Sequence, residues 1–463
     1  MNSFNIFHTS DWHLGKKLYR YSRLDEHRFF LQWFADHLKK ENADLLIISG
    51  DIFDSPQLGS DATFALEYFY LFLEQVCKKT QVLMIGGNHD SGPFLDAPSP
   101  FLNQKGIHIV GSPKAKFEDH FLCLDIKGVP LSFLALPYFR NTQLLQWKER
   151  YLKDTPDIPD GSVGEILFNK FFQEFGKFST QNNCLFNFLV AHHNFGGIEG
   201  SGSEQHLSLS GVSHFPLTWT KDRFDYCALG HIHKKFHKQE GKTHFVYPGP
   251  PIPLRFSEAG QKSVAKISGN DSADAIKVDF VPIPTARKLY SLSGNLTLIE
   301  SELAKIPNND GAFTPYLEAK LVIDGPDSNL TGKLKALCQE KALELISIKL
   351  LSGQLQETGV ATTSDNDVTE TFHISSNEDD ACRLFQAFYQ EKYRSDSAVP
   401  PAIFHEFKEV LALAQLQQNE DAKKSNEGHL GPPIPGRHRV MKELQELQIS
   451  DGPKGQEEAS APT

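Results

Sequence analysis

Short apolar runs alternate with longer amphipathic stretches through the first part of this chain. Phe4–Thr9 reads as a strand, and Arg23–Lys40 carries Leu24, His27, Leu31, Phe34 and Leu38 on one stripe at helical spacing. "DLLIIS" (Asp44–Ser49) is short and apolar throughout, as expected of a strand covered on both faces. Ala62–Lys79 is a second amphipathic helix, with Leu66, Phe69, Leu73 and Val76 inward, and Val82–Gly86 is a third strand. This β-α-β-α-β order predicts a parallel sheet with helices on its faces.

Further strands are predicted at Phe121–Asp125 and Leu131–Ala135, with a turn between them, and at Leu185–Ala191, Tyr226–Leu229, His244–Tyr247, Val264–Ile267 and Ile276–Val281. Together they predict a two-sheet α/β sandwich with flanking helices over residues 1–283. A small α+β module is expected over 284–351, from strand, helix, strand, helix and strand patterns. The Ser/Thr-rich stretch 352–379 reads as a linker. Two amphipathic helices follow, Asp380–Tyr393 and Ala402–Gln417. The tail 419–463, rich in Gly, Pro and charge, is expected to be disordered.

Composition narrows the class. Of 463 residues, 40% are hydrophobic and 23% charged, as in an ordinary globular protein. No apolar run approaches the roughly 18–20 residues that span a bilayer. The N-terminus lacks the pattern of a secretory signal. Six scattered cysteines without a CxxC pair fit reduced, inert thiols and a cytoplasmic setting. The net charge of −11 argues against a simple nucleic-acid-binding module, yet it permits a local basic face.

Five polar clusters follow predicted strands: "SDWH" (Asp11, His13), "GDIFD" (Asp51), "GNHD" (Asn88, His89, Asp90), "AHH" (His192, His193) and "GHIH" (His231, His233). Ligands of open α/β sheets gather at the carboxyl ends of strands, so these clusters can converge. Carboxylate, amide and imidazole without thiolate suit Mn²⁺, Fe²⁺ or Zn²⁺. Two such cations need a bridging anion, and Asp51 is the natural candidate. Singly, each residue fits a cap, a turn or a core histidine; five strand ends of this type do not.

The order D-x-H, GD-x-x-D, GNHD, H, GHxH resembles the calcineurin-like metallophosphoesterases. "HTSDWHLGKKLYRYSRLDEH", "ISGDIFDSP", "LGHIHKK" and "YPGPPIPLRFSE" resemble the SbcD-type DNA repair nucleases within that superfamily. The resemblance implies two divalent metals, most readily Mn²⁺. It assigns Asp11, His13, Asp51 and His233 to one, and Asp51, Asn88, His192 and His231 to the other. His89 matches the family's catalytic histidine, with Asp90 expected to orient it. The implied activity is hydrolysis of DNA phosphodiesters at double-strand ends and hairpins, as exonuclease and endonuclease. The implied partners are double-stranded DNA, an SbcC-type SMC-like ATPase docked on the C-terminal helical pair, and a second copy of the chain. Two departures stand out. His192-His193 replaces a single histidine, with His192 favoured because it directly follows its strand. Pro250 replaces the serine of the family's GSPIPL turn.

Lys16, Lys17, Arg20 and Arg23, interleaved with Tyr19 and Tyr21, follow the first ligand pair; Lys234 follows the last, and Arg255 follows the proline-rich turn. Cations there are expected to meet DNA phosphates. A rival reading is a phosphodiesterase for a small substrate such as a cyclic nucleotide, whose usual architecture lacks the second module and helical tail. A phosphoprotein phosphatase would show GDxVDRG and GNHE. A non-catalytic scaffold would have lost ligands, and here every ligand position is filled.

Overall fold

The computed structural model describes residues 2–55, 60–154, 162–198, 214–272, 276–307, 309, 311–323 and 330–352, with Phe385, Phe404 and Phe407. The chain divides into two compact units, Met1–Glu370 and Thr371–Thr463.

The first unit begins with β1 (Ser3–Thr9), a small hairpin of β2 (Lys17–Leu18) and β3 (Tyr21–Ser22), then α1 (Leu24–Lys40), β4 (Leu45–Ser49), α2 (Ser60–Val76) and β5 (Gln81–Ile85). Two short helices, α3 (Gly92–Asp96) and α4 (Ser99–Leu102), lead to β6 (Ile107–Val110). The strands β7 (Phe121–Ile126) and β8 (Val129–Leu136) form a hairpin, followed by α5 (Asn141–Leu152), α6 (Val163–Gln181) and β9 (Phe186–His192). Then come β10 (Tyr226–Gly230), β11 (Phe236–Glu240), β12 (Thr243–Tyr247), β13 (Ser263–Asn270) and β14 (Lys277–Pro282).

Two six-stranded sheets result, in the orders β14-β13-β1-β4-β5-β6 and β11-β12-β10-β9-β8-β7. Their central strands run parallel: β1, β4, β5 and β6 in one, β8, β9, β10 and β12 in the other. Period-two alternation builds the layers. Leu45 and Ile47 of β4 face the second sheet's Phe133, Phe188 and Val190. Leu46 and Ile48 face the helix layer with Trp12, Phe30, Phe34, Phe69 and Phe72. The outer face of the second sheet is covered by Leu167, Phe168, Phe171, Phe172 and Phe175 of α6. The expected sandwich with flanking helices is therefore the architecture observed. No element was expected between 141 and 181, where α5 and α6 stand; the i, i+4 stripe of α6 carried the signal.

The module beyond residue 284 is a parallel three-stranded sheet of β15 (Leu289–Gly294), β16 (Tyr316–Ile323) and β17 (Glu344–Ser352), crossed by α7 (Leu296–Lys305) and α8 (Leu330–Glu340). Ile299, Leu303, Leu317, Ala319, Leu321 and Leu334 fill its core. It joins the sandwich through a buried charge cluster, in which Glu26 Oε1 accepts from Arg23 Nε at 2.7 Å and Arg287 Nε at 2.6 Å. The Arg287 guanidinium lies 4.0 Å from the Tyr316 ring centroid. Arg23, expected among the DNA-facing cations, is fully buried and donates to the Pro253 carbonyl. The described cysteines are free thiols, as expected; Cys123 is exposed, and its Sγ lies 3.2 Å from that of Cys184.

In the second unit, Phe385, Phe404 and Phe407 are helical, and Phe385 stacks on Phe407 with centroids 4.0 Å apart. The rest of the two expected C-terminal helices and the expected tail lie outside the described residues. Among the described residues, no helix is long and apolar enough to cross a membrane.

Candidate metal centre

The carboxyl ends of β1, β4, β5, β9 and β10 meet between the two sheets. The loops after β1 and β4 are zipped together: Asp11 N–H donates to the Gly50 carbonyl, His13 N–H to that of Asp51, and Leu14 N–H to that of Ile52. Keeping the side chains turned inward demands unusual backbone. Asp11, His13, Asp51 and His231 all have positive φ, at 55°, 46°, 50° and 93°. Strain of this kind costs on the order of 1–3 kcal/mol per residue and concentrates at functional sites. Gly87 is required for a different reason: a Cβ there would collide with the Asp51 carboxylate and amide.

One set of donor atoms comprises Asp11, His13, Asp51 and His233, which all lie within 4.8 Å of one another. His13 Nε2 faces His233 Nε2 at 3.2 Å and Asp51 Oδ2 at 3.4 Å. A second set surrounds Asn88. Its Oδ1 lies 3.1 Å from His192 Nε2 and 3.0 Å from His231 Nδ1, and His192 Nε2 lies 3.3 Å from Asp51 Oδ2. Asp51 Oδ2 thus belongs to both sets.

The outer ring nitrogens explain these contacts. His13 Nδ1 faces Asp54 Oδ1 at 3.3 Å, His233 Nδ1 faces Glu258 Oε1 at 3.2 Å, and His192 Nδ1 faces the Ser49 carbonyl at 2.7 Å. Each partner only accepts, so each Nδ1 carries the proton and each Nε2 presents a lone pair. Lone pairs of imidazole, carboxylate and amide then point at one another, which is repulsive unless a cation lies among them. The donor set accordingly fits two divalent cations sharing one carboxylate. Burial alone would raise the Asp51 carboxyl, but the His192 and His13 charges outweigh it and hold it well below the usual range. Burial likewise opposes charge on His192, yet Asp51 lifts it to about 9.

His89 and Asp90 belong to neither of these two sets, although His89 shares a further cluster of possible ligand atoms with His13 and Asp54. His89 N–H donates to Asp51 Oδ1 at 2.8 Å, and its ring Nδ1 to the Asp54 carbonyl at 2.8 Å. Asp90, expected to orient the His89 ring, instead receives the backbone N–H groups of Gly87, Ile52 and Phe53 at 2.9, 3.1 and 2.9 Å. It clamps the β4 and β5 loops together. Burial and the Asp51 charge raise its carboxyl to about 6, against the pull of those three donors.

The adjacent histidines divide cleanly. His192 enters the cluster, whereas His193 packs on Tyr138, Phe139 and Phe215, with its Nε2 buried and without a hydrogen-bond partner. Burial drives its imidazole far toward the neutral form. Of the expected DNA-facing cations, Lys17, Arg20, Lys234 and Arg255 are exposed. Lys16 is half-buried and bonded to Asp54 Oδ1 at 2.8 Å. The supporting residues Asp54 and Glu258 carry no signal of their role in the sequence. Both lie in quoted motifs, "GDIFD" and "LRFSE", but nothing local distinguishes a carboxylate that backs an imidazole from a solvated one.

The sequence profile described as calcineurin-like phosphoesterase matches residues 4–235, and one described as type 5 capsule protein repressor C-terminal domain matches residues 285–393. Two similar curated relatives are each named as the SbcD component of the nuclease SbcCD. That of Staphylococcus epidermidis is 28% identical over 309 residues, covering 66% of this chain and 77% of that protein. That of Rhodobacter capsulatus is 26% identical over 374 residues, covering 78% and 90%. Among solved structures, a dimetal phosphatase from Danio rerio is 13% identical with a TM-score of 0.38, over 60% of this chain and 99% of that one. With half of its length matched by the phosphoesterase profile and the five strand-end clusters gathered at one centre, the chain belongs to the calcineurin-like phosphoesterase family.

Proposed function

We propose that this chain is the nuclease component of an SbcCD-type complex, a metal-dependent hydrolase of DNA phosphodiesters at double-strand ends and hairpins. The observation that carries the chemistry is Asp51 Oδ2, 3.4 Å from His13 Nε2 and 3.3 Å from His192 Nε2, at the junction of two donor sets. Asp11, His13, Asp51 and His233 would hold one divalent ion, and Asp51, Asn88, His192 and His231 the other, with Mn²⁺ the preferred metal. When bound, the ions supply Lewis acidity toward phosphate oxygens and lower the pKa of the attacking water. His89 has its Nδ1 committed to the Asp54 carbonyl, which leaves Nε2 as its reactive ring nitrogen. From that nitrogen it would donate to a phosphate oxygen or to the departing sugar oxygen.

The names of the two curated relatives support a nuclease activity and an SbcC-type partner; duplex DNA as substrate, an ATPase as that partner and a cytoplasmic setting follow from the family resemblance. The ATPase would dock on the C-terminal helical segment. Exposed Lys17, Arg20, Lys234 and Arg255 would meet DNA phosphates. The homodimer reading rests on the family resemblance.

The test incubates purified protein and Mn²⁺ with linear duplex DNA, a cyclic nucleotide or a generic phosphodiester. Cleavage of duplex DNA that disappears in His89→Ala is the expected result. Turnover of the cyclic nucleotide alone would replace this reading with that of a small-substrate phosphodiesterase.

A further inference from the structure

The hairpin β2–β3 begins four residues after His13 and has only two residues in each strand, with Tyr19 and Arg20 as its turn. Tyr19 sits at a φ of 54°. An isolated hairpin of this size does not hold itself together in water. It is held by the module beyond residue 284 and by the sandwich, whose Asp61 pairs with Lys17 at 3.6 Å. Leu18 is buried in a cluster with Phe256, Leu289 and Tyr316, and the Tyr21 ring lies 5.4 Å from that of Tyr316. At the turn, the Tyr19 hydroxyl donates to Glu318 Oε1 at 2.5 Å.

Glu318 is an unusual residue on β16. It is only 2% exposed, and it lies on the strand face opposite Leu317 and Ala319, which belong to the module core. Lys349 Nζ at 3.0 Å and Lys320 Nζ at 3.4 Å neutralise it, and the Ser291 hydroxyl donates to it at 3.2 Å. Lys349 also stands 5.9 Å from the Tyr19 ring centroid. A carboxylate already neutralised and fixed by its own module thus presents an oriented acceptor to a turn from the sandwich, some 300 residues earlier. Lys17 and Arg20, in the same hairpin, are exposed.

We infer that Glu318 is a positioning residue for substrate: through the Tyr19 hydroxyl it fixes the hairpin that presents Lys17 and Arg20 beside the metal centre. This inference rests on the nuclease reading above.

The test uses the full-length protein with Mn²⁺ and compares Tyr19→Phe, Glu318→Ala, the double variant and Glu318→Gln. Duplex affinity is measured over a range of salt, and hydrolysis of bis(4-nitrophenyl) phosphate reports the metal centre without the hairpin. Each of the first two substitutions is expected to weaken duplex binding roughly tenfold, the scale of one hydrogen bond to a charged acceptor. The double variant should bind duplex no worse than Glu318→Ala, because the Tyr19 hydroxyl acts through Glu318. Glu318→Gln keeps an oxygen for the hydroxyl and should restore part of the affinity. Hydrolysis of the small ester should keep its kcat and KM within about twofold. Unchanged duplex affinity, additive losses, or a parallel fall in small-ester hydrolysis would each overturn the inference. A wild-type protein that hydrolyses the small ester but binds no duplex would instead refute the nuclease reading, a failure seen before any variant is made.

Discussion

Glu258→Gln is a sharp test of the centre, because the structure leaves the amide no neutral choice. Glu258 is 8% exposed; Oε1 faces His233 Nδ1 at 3.2 Å, and Oε2 accepts the Leu254 N–H at 3.0 Å. The bond to His233 outweighs burial and holds the carboxyl below its usual range. A glutamine has one oxygen for two donors. With the oxygen toward His233, its NH₂ opposes the Leu254 N–H, and a buried donor is orphaned at a cost of about 1–3 kcal/mol. With the amide reversed, the NH₂ faces His233 Nδ1 and favours the tautomer that puts the proton on Nε2, where the metal would bind. Loss of such a backing carboxylate typically lowers metal affinity about 10–100-fold, or roughly 1.4–2.7 kcal/mol. The assay pairs Mn²⁺ titration by calorimetry with urea unfolding of the metal-free protein. One of the two quantities must fall by the stated amount. If neither does, the reasoning about His233 and its tautomer is wrong.

Other expectations follow from the same contacts. His193→Phe should leave Mn²⁺ affinity unchanged and alter stability by less than about 1.5 kcal/mol, because the ring replaces an imidazole packed among aromatics; His192→Phe should abolish binding at one of two sites in the same titration. Chelation with EDTA should lower the thermal midpoint, and Mn²⁺ at a hundredfold excess over its Kd should restore about 2.7 kcal/mol; a midpoint indifferent to metal would count against the centre. Glu26→Ala leaves Arg23 and Arg287 buried without their shared carboxylate, and should cost about 3–5 kcal/mol in denaturant unfolding. A loss under about 1 kcal/mol would mean that solvent already reaches the cluster.

Much of this protein was legible in order along the chain. Period-two and period-3.6 patterns placed β1, β4, β5 and α1, because each of these elements buries a face that its own residues define. The strand-end clusters were legible for the same local reason: a parallel α/β sheet brings consecutive carboxyl ends to one edge, so Asp11, Asp51, Asn88, His192, His231 and His233 could be named before their distances were known. Tertiary structure decided what each polar side chain meets once the chain closes. Arg23 and Lys17 look alike in "GKKLYRYSR", yet one is buried against Glu26 and the other is exposed. Asp90 follows His89 but binds the backbone of the neighbouring loop. Asp54, Glu258 and Glu318 acquire their roles from partners 41, 25 and 299 residues away. A hydrophobic pattern reports which face is buried; it holds no record of which donor stands opposite a carboxylate, because that pairing exists only after distant segments are packed together.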